Sequence, residues 1–395
     1  MKNFLLIILA IILISGLIFS GSAKAASVQT LKVGALLSLT GWFTFQDAWD
    51  QGDVQIVAQM INDKGGLTIQ GQKYNIEVVI EDCKSSFDGY TAAANKLVLD
   101  HKVKFVVGPN AFFSLATSPI LEASKVLHVS GFNTLQPGEM DANTPYAFLG
   151  YDSPVSIHAA GYMALLKEFP KVKNIAIFTA DDASIKYTLP HLKNTLAKMG
   201  LNLVGDVVMF PNETTDYSPF VAKLNAISQA DAYATVLSGT PACGNILKGL
   251  RSLGNQKPVV VQTYAPDTVA IAGKEASHNA ICLLSLTPNQ PGKNPALIDE
   301  AYKRGKPGRQ WFGCVPNALW ILGQVIQAAD SLDPAVVKAK WESMDTVSTL
   351  YGKGTFSGDK TYGLRHHAVS HPLPYAKLVN GAVVDGGWID PGPLP

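Results

Sequence analysis

An α/β fold built from two doubly wound parallel sheets is what this chain predicts, and three features predict it. Short, β-branched apolar runs alternate with segments of helical period along most of the length, as strands covered by helices on both faces require. That series stops near Asn143-Thr144-Pro145 and starts again beyond it. At 395 residues the chain is also too long for one comfortable core, so two domains are the expected division.

The N-terminus stands apart from this pattern. Lys2, the apolar run Phe4–Phe19 and the small residues Ala23 and Ala25 make a charged n-region, an h-region and an A-x-A site, the layout of a secretory signal peptide with cleavage after Ala25. No cysteine follows the apolar run, which argues against a lipid-anchored form. The mature protein is expected to be exported to the periplasm.

Leu31–Leu39 reads as a buried strand, followed by an aromatic loop Trp42-Phe43-Thr44-Phe45 and a helix Asp47–Asp63 that closes at Lys64-Gly65-Gly66. Tyr74–Glu81 is the next strand and Gly89–His101 the next helix. Lys104–Val107, Ser114–Ser124 and Val126–Ser130 complete a βαβαβαβ series. Both strands of this last stretch break into loops of small, aromatic and hydroxyl residues, Asn110–Ser114 and Gly131–Thr134. In doubly wound sheets ligands sit beyond the carboxyl ends of the strands, so these loops are a candidate pocket rim.

The second series runs through helix Ser153–Phe169, strand Asn174–Thr179, a loop ending at Ser184, helix Tyr187–Met199, strand Val204–Phe210 and helix Tyr217–Ser228. Strand Ala232–Leu237, helix Pro241–Leu253 and strand Val259–Gln262 extend it. Ala280–Thr287 leads into a Pro/Asn/Gly loop, Pro288–Pro295. The helices Pro295–Arg304, Val315–Ser331 and Pro334–Met344 need a sheet to cover, which a return to the first domain supplies. The tail carries strand-like pieces at Ala368–Ser370 and Ala376–Val379.

Composition excludes several functions. Hydrophobic residues make up 47% and charged residues 16%, with a formal net charge of +1, which offers no basic excess for nucleic acid. There is no Walker-type glycine loop, nucleophile elbow, HExxH or Cys-x-x-Cys, so an enzyme is not the expected reading. Neither a cofactor nor a metal site is expected. Cys83, Cys243, Cys282 and Cys314 match no metal spacing and leave disulfides or buried thiols both open. His366, His367 and His371 cluster in sequence, yet packed or solvated histidines are the expected reading.

Five stretches in order, VGALLSLTG, INDKGG, VVIEDC, VVGP and TTDYSPFVAKL, resemble the type I periplasmic solute-binding proteins of the branched-chain amino-acid ABC transporter group. The resemblance implies two Rossmann-like lobes joined by three crossovers, near Phe148–Tyr151, Leu284–Thr287 and Arg365–Val369. The first lobe would comprise residues 26–149 with 285–367, and the second 150–284 with 368–395. It also implies a solute in the cleft, hinge closure around it, and permease and ATPase subunits as partners. A periplasmic sensor lobe serving a signalling partner is the alternative.

Carried onto this chain, the resemblance puts the solute against Asn110, Phe112, Phe132, Asn133 and Thr134 on the first lobe, with Trp42 and Phe45 beside them. Thr134 is expected to donate its hydroxyl to the solute's carboxylate. Ser184, Gly239, Thr263 and Tyr264 form the second-lobe side. Where amino-acid binders keep an acid for the solute's ammonium, this chain has Thr263 and Tyr264, the nearest acid being Asp267. An unpaired buried ammonium is costly, so an aromatic or other carboxylate solute fits better than leucine.

Overall fold

The computed structural model describes residues 27–236, 238–284, 294–305 and 313–395. The expected signal peptide, the crossover segment beyond Leu284 and the loop 288–293 lie outside them.

Strands β1 (Gln29–Leu37), β2 (Leu67–Ile69), β3 (Gln72–Asp82), β4 (Phe105–Val107), β5 (Leu127–Ser130) and β6 (Ala147–Leu149) alternate with helices Thr44–Asp63, Phe87–Leu99 and Ser114–Ala123. The side chains of β4 and β5 are buried throughout, because helices cover both faces. Strands β7 (Asn174–Ala180), β8 (Asn202–Leu203), β9 (Val208–Phe210), β10 (Ala232–Thr235), β11 (Val259–Val261) and β12 (Ala280–Leu283) follow with their own helices. The chain then adds β13 (Thr346–Thr349), β14 (Gly352–Ser357), β15 (Ala368–Ser370), β16 (Leu373–Val379) and β17 (Ala382–Ile389).

These strands form two sheets. The first has the order β13-β14-β15-β6-β5-β4-β1-β3-β2, and the second β17-β16-β12-β11-β10-β7-β8, with β9 also beside β7. Pairing is parallel from β15 through to β3 and from β12 through to β8, and antiparallel at the margins. Each sheet with its helices is a lobe. The first passage between lobes runs over Gly150–Ser153, where a Cβ on Gly150 would lie 2.5 Å from Ala318, so only glycine lets the crossing pass this close to helix Cys314–Ala329.

Several expectations need correction. The third passage is at His371-Pro372, not at 365–369: Ala368 pairs with Leu149 and Val369 with Phe356 in the first sheet, which buries all of β15. The tail is not wholly second-lobe either. Beyond β17 it returns to the first lobe, where Leu394 is buried with Met140, Leu149 and Tyr362. The carbonyl oxygen of Pro395 accepts from the N–H groups of Lys360 and Thr361, both at 3.1 Å. Of the strand expected at 204–210 only Val208–Phe210 (β9) forms, because Gly205 takes a left-handed turn (φ +67) just after the short β8. The aromatic loop shortens, because the first helix starts at Thr44 and Phe43 is buried against Phe113, ring centroids 5.3 Å apart.

His367 stacks on Phe148 at 4.1 Å and bonds Glu342 at 3.0 Å, while His371 packs between Tyr151 and Tyr351 and lies 3.2 Å from Asp152. All four cysteines are buried free thiols. No helix among the described residues is long and apolar enough to cross a membrane.

Candidate functional site

The carboxyl ends of both sets of parallel strands face each other across a cavity of about 480 Å³. Its first-lobe wall consists of Trp42 and Phe43 after β1, Ala111 and Phe112 after β4, and Phe132 and Thr134 after β5. Tyr151, Leu284 and Cys314 line it at the junction between lobes. The second-lobe wall comes from the loops after β7 (Asp182, Ser184), β9 (Asn212), β10 (Ser238–Pro241) and β11 (Gln262–Tyr264), with Asp267 on the next helix.

Of the expected residues, Trp42, Phe112, Phe132, Thr134, Ser184, Gly239, Thr263 and Tyr264 share this lining. Two do not. Asn110 is fully buried behind the wall, where its Nδ2 donates to Asp47 at 2.8 Å and Asp50 at 3.2 Å. Asn133 donates to the Tyr362 hydroxyl at 3.1 Å and lines a separate cavity of about 190 Å³. The side chain of Phe45 lies outside the described ones.

Thr134 is present but its hydroxyl is already engaged. It donates to Glu139 Oε1 at 2.6 Å, and the Thr134 N–H donates to Oε2 at 2.8 Å. One hydroxyl has one proton, so donation to a solute would break that bond. Burial raises the Glu139 carboxyl to about 7 in spite of these donors. Asp47 is similarly pushed up to about 6 by burial, against donors from Ser38, Asn110 and Tyr90. Asp50 is raised well above the usual range by burial and by its neighbours Asp47 and Asp53.

The aromatic side chains of the first wall form a ladder. Phe113, with 1% of its surface exposed, stacks on Tyr90 at 4.3 Å and fills the core. Phe112 stacks on Trp42 at 6.4 Å and on Phe87 at 6.0 Å, nearer the surface.

The second wall has a different chemistry. Helix Thr240–Ser252 begins after Gly239 without a side-chain cap, whereas at the start of helix Ile185–Lys198 the Asp182 carboxylate accepts from the Ser184 N–H at 2.7 Å and the Asp182 carbonyl from the Ile185 N–H at 3.0 Å. The first N–H groups of a helix lack intrahelical partners, and the dipole adds positive potential there. The Oγ atoms of Ser184 and Ser238 are buried with no hydrogen-bond partner among the described residues. One uncapped helix start and two unpartnered hydroxyls give this edge donors of the kind that suit an anion.

The neighbouring β11 edge accepts instead. Thr268 donates its only proton to the Tyr264 carbonyl at 2.9 Å, so in the 2.7 Å Thr263–Thr268 contact Thr263 is the donor, leaving it lone pairs alone. Asp267 stands in the first turn of helix Ala265–Ala272 and also lines the cavity, burial raising its carboxyl. This edge therefore has a carboxyl that the reading from sequence left outside the pocket. The helix that brings it in is eight residues long, too short for a clear period. Gln262, Asp182 and Asn212 also went unpredicted, because single polar residues in loops give no local pattern.

The same fold occurs in solved structures. A leucine-binding protein, LivK, from Thermotoga maritima matches with a TM-score of 0.72 at 20% identity, over 91% of this chain and 99% of that one. LivJ from Streptococcus pneumoniae, a branched-chain amino acid transporter substrate-binding protein in complex with isoleucine, matches at 0.71 and 19% identity, over 92% and 100%. An ABC transporter solute-binding protein from R. palustris in complex with 4-hydroxybenzoate matches at 0.69 and 17%, over 92% and 96%. The periplasmic binding protein family model matches residues 30–382, nearly all of the described chain, and this chain belongs to that family, with the type I fold.

Proposed function

We propose that this protein is the extracytoplasmic solute-capturing component of an ABC transporter, and that its solute is a small aromatic carboxylate taken between the lobes. The observation that carries the reading is the opposition of the two walls. Phe112, Phe132 and Trp42 offer ring faces, and across the cavity Ser184, Ser238 and the helix start at Gly239 offer donors to an anion. The relatives' solutes, isoleucine in one and 4-hydroxybenzoate in another, both carry a carboxylate, which agrees with this edge. The chain passages that link the lobes at 150–153 and 371–372 suit hinge closure around the solute, and delivery would be to permease and ATPase subunits.

A thermal-shift screen tests the solute class. Benzoate and 4-hydroxybenzoate are expected to raise the melting temperature, a ligand at a hundred times its Kd adding about 2.7 kcal/mol. Leucine, isoleucine and valine are expected to leave it unchanged. Micromolar leucine binding that is lost in Asp267→Asn would overturn the aromatic reading and identify Asp267 as the partner of a solute ammonium.

A further inference from the structure

The geometry points to a second, outer subsite in the cleft: an aromatic shelf made by Trp42 on Phe112 that receives a second ring of the solute beyond the carboxylate-bearing one. This rests on the reading of the cleft as the solute site and extends the class of solute to two-ring acids.

Trp42 lines the cavity and yet leaves 58% of its surface exposed. Core packing does not explain its position, because Phe43 and Phe113 fill the space beneath it at 7% and 1% exposure. Polar bonds hold it there instead. The indole Nε1–H donates to the Ser85 carbonyl at 3.1 Å, and Ser85 Oγ accepts from the Phe43 N–H at 3.0 Å and donates to the Thr40 carbonyl at 2.6 Å. Lys84 and Ser85 both take left-handed backbone conformations (φ +54 and +52), a conformation rare outside glycine. A Cβ on Gly41 would lie 2.7 Å from the Ser85 side chain. The loop after β1 and the loop after β3 are thus interlocked so that a large ring is presented outward, nearly parallel to Phe112 (22°).

The space fits the same conclusion. A cavity of about 480 Å³ lies in the ~300–1,000 Å³ range that drug-sized ligands fill, and a single-ring acid at Ser184 and Ser238 leaves much of it empty. The shelf lies on the wall opposite those hydroxyls. A solute whose carboxylate reaches Ser184 and Ser238 and whose far end is a second aromatic ring spans the two.

The test is titration calorimetry of the full mature chain with benzoate, biphenyl-4-carboxylate and 4-phenylphenol, the last bearing both rings and no carboxylate. Wild type is expected to bind the two-ring acid roughly tenfold or more tighter than benzoate. Trp42→Ala is expected to reduce that ratio to below about threefold, Trp42→Phe to restore most of it, and Trp49→Ala, an exposed indole elsewhere on the lobe, to leave it unchanged. Equal affinities for the two acids, or a ratio that survives Trp42→Ala, would overturn the shelf. If neither acid binds but 4-phenylphenol does, and only with Trp42 present, the shelf stands and the carboxylate reading fails. If none of the three binds, both are overturned.

Discussion

The loops of the two lobes that meet at the cleft both carry polar side chains and use them in opposite ways. On the first lobe, Asn110 is bonded to Asp47 and Asp50, Asn133 to Tyr362, and Thr134 to Glu139, which leaves ring faces as what that wall presents. On the second lobe the buried hydroxyls of Ser184 and Ser238 have no partner among the described residues, and the helix start at Gly239 has no side-chain cap. A polar residue at a pocket rim is therefore informative only once its bonding is known. The first wall is structural chemistry with an aromatic surface, and the second is open recognition chemistry.

The largest effect expected from breaking this contrast is on the first wall, and it is on stability. Asn110→Ala removes the donor shared by two fully buried carboxyls. A cost of about 3 kcal/mol is expected in urea melts at pH 7, with little change in the cavity itself. On the second wall, Ser184→Ala and Ser238→Ala should each lower affinity for an aromatic carboxylate by about 1.5–3 kcal/mol, the range for bonds to a charged group, as read by calorimetry. Unchanged affinity in both variants would remove the anion-binding edge.

A third expectation uses pH. Glu139 is held at about 7 in the folded protein, above its ordinary value near 4.5. Between those values the folded state holds a proton that the unfolded chain does not, so this group makes stability fall as pH rises through that window. Asp47, raised to about 6, acts with the same sign over a lower window. The buried imidazoles of His158, lowered to about 3, and His371, lowered to about 4, act with the opposite sign, so the comparison is between variants. Over pH 5, 6 and 7.5 the melting temperature of Glu139→Gln should fall less, or rise more, than that of the wild type. The smallest effect belongs to Thr134→Val. Its hydroxyl serves Glu139, so solute affinity should move by less than about 0.5 kcal/mol while stability drops by about 1 kcal/mol. A tenfold loss of affinity in this variant would mean that Thr134 turns from Glu139 to the solute on binding.

By itself the sequence determined the alternation of strands and helices, the restart after Pro145, and the placing of Phe112, Phe132, Ser184 and Thr263 at the carboxyl ends of strands. All of these are local: a strand's period, a turn's residues and a helix's spacing are written within a dozen positions. It did not determine the margins. β13, β14 and β17, and the return of Leu394 to the first lobe, depend on edges and clefts that exist only after the sheets have formed. Nor could it tell which rim residues are available. Asn110 finds Asp47 across 63 positions and Asn133 finds Tyr362 across 229, so their bonding is a product of packing. Asp267 enters the cavity through a short helix whose packing against helix Thr240–Ser252 and β16, not its propensity, holds it in place. Residue type gave the chemistry each position can offer; the tertiary structure decided which positions still have it to offer, because every hydrogen-bond donor and acceptor in a folded interior is shared among neighbours that the chain brings from far away.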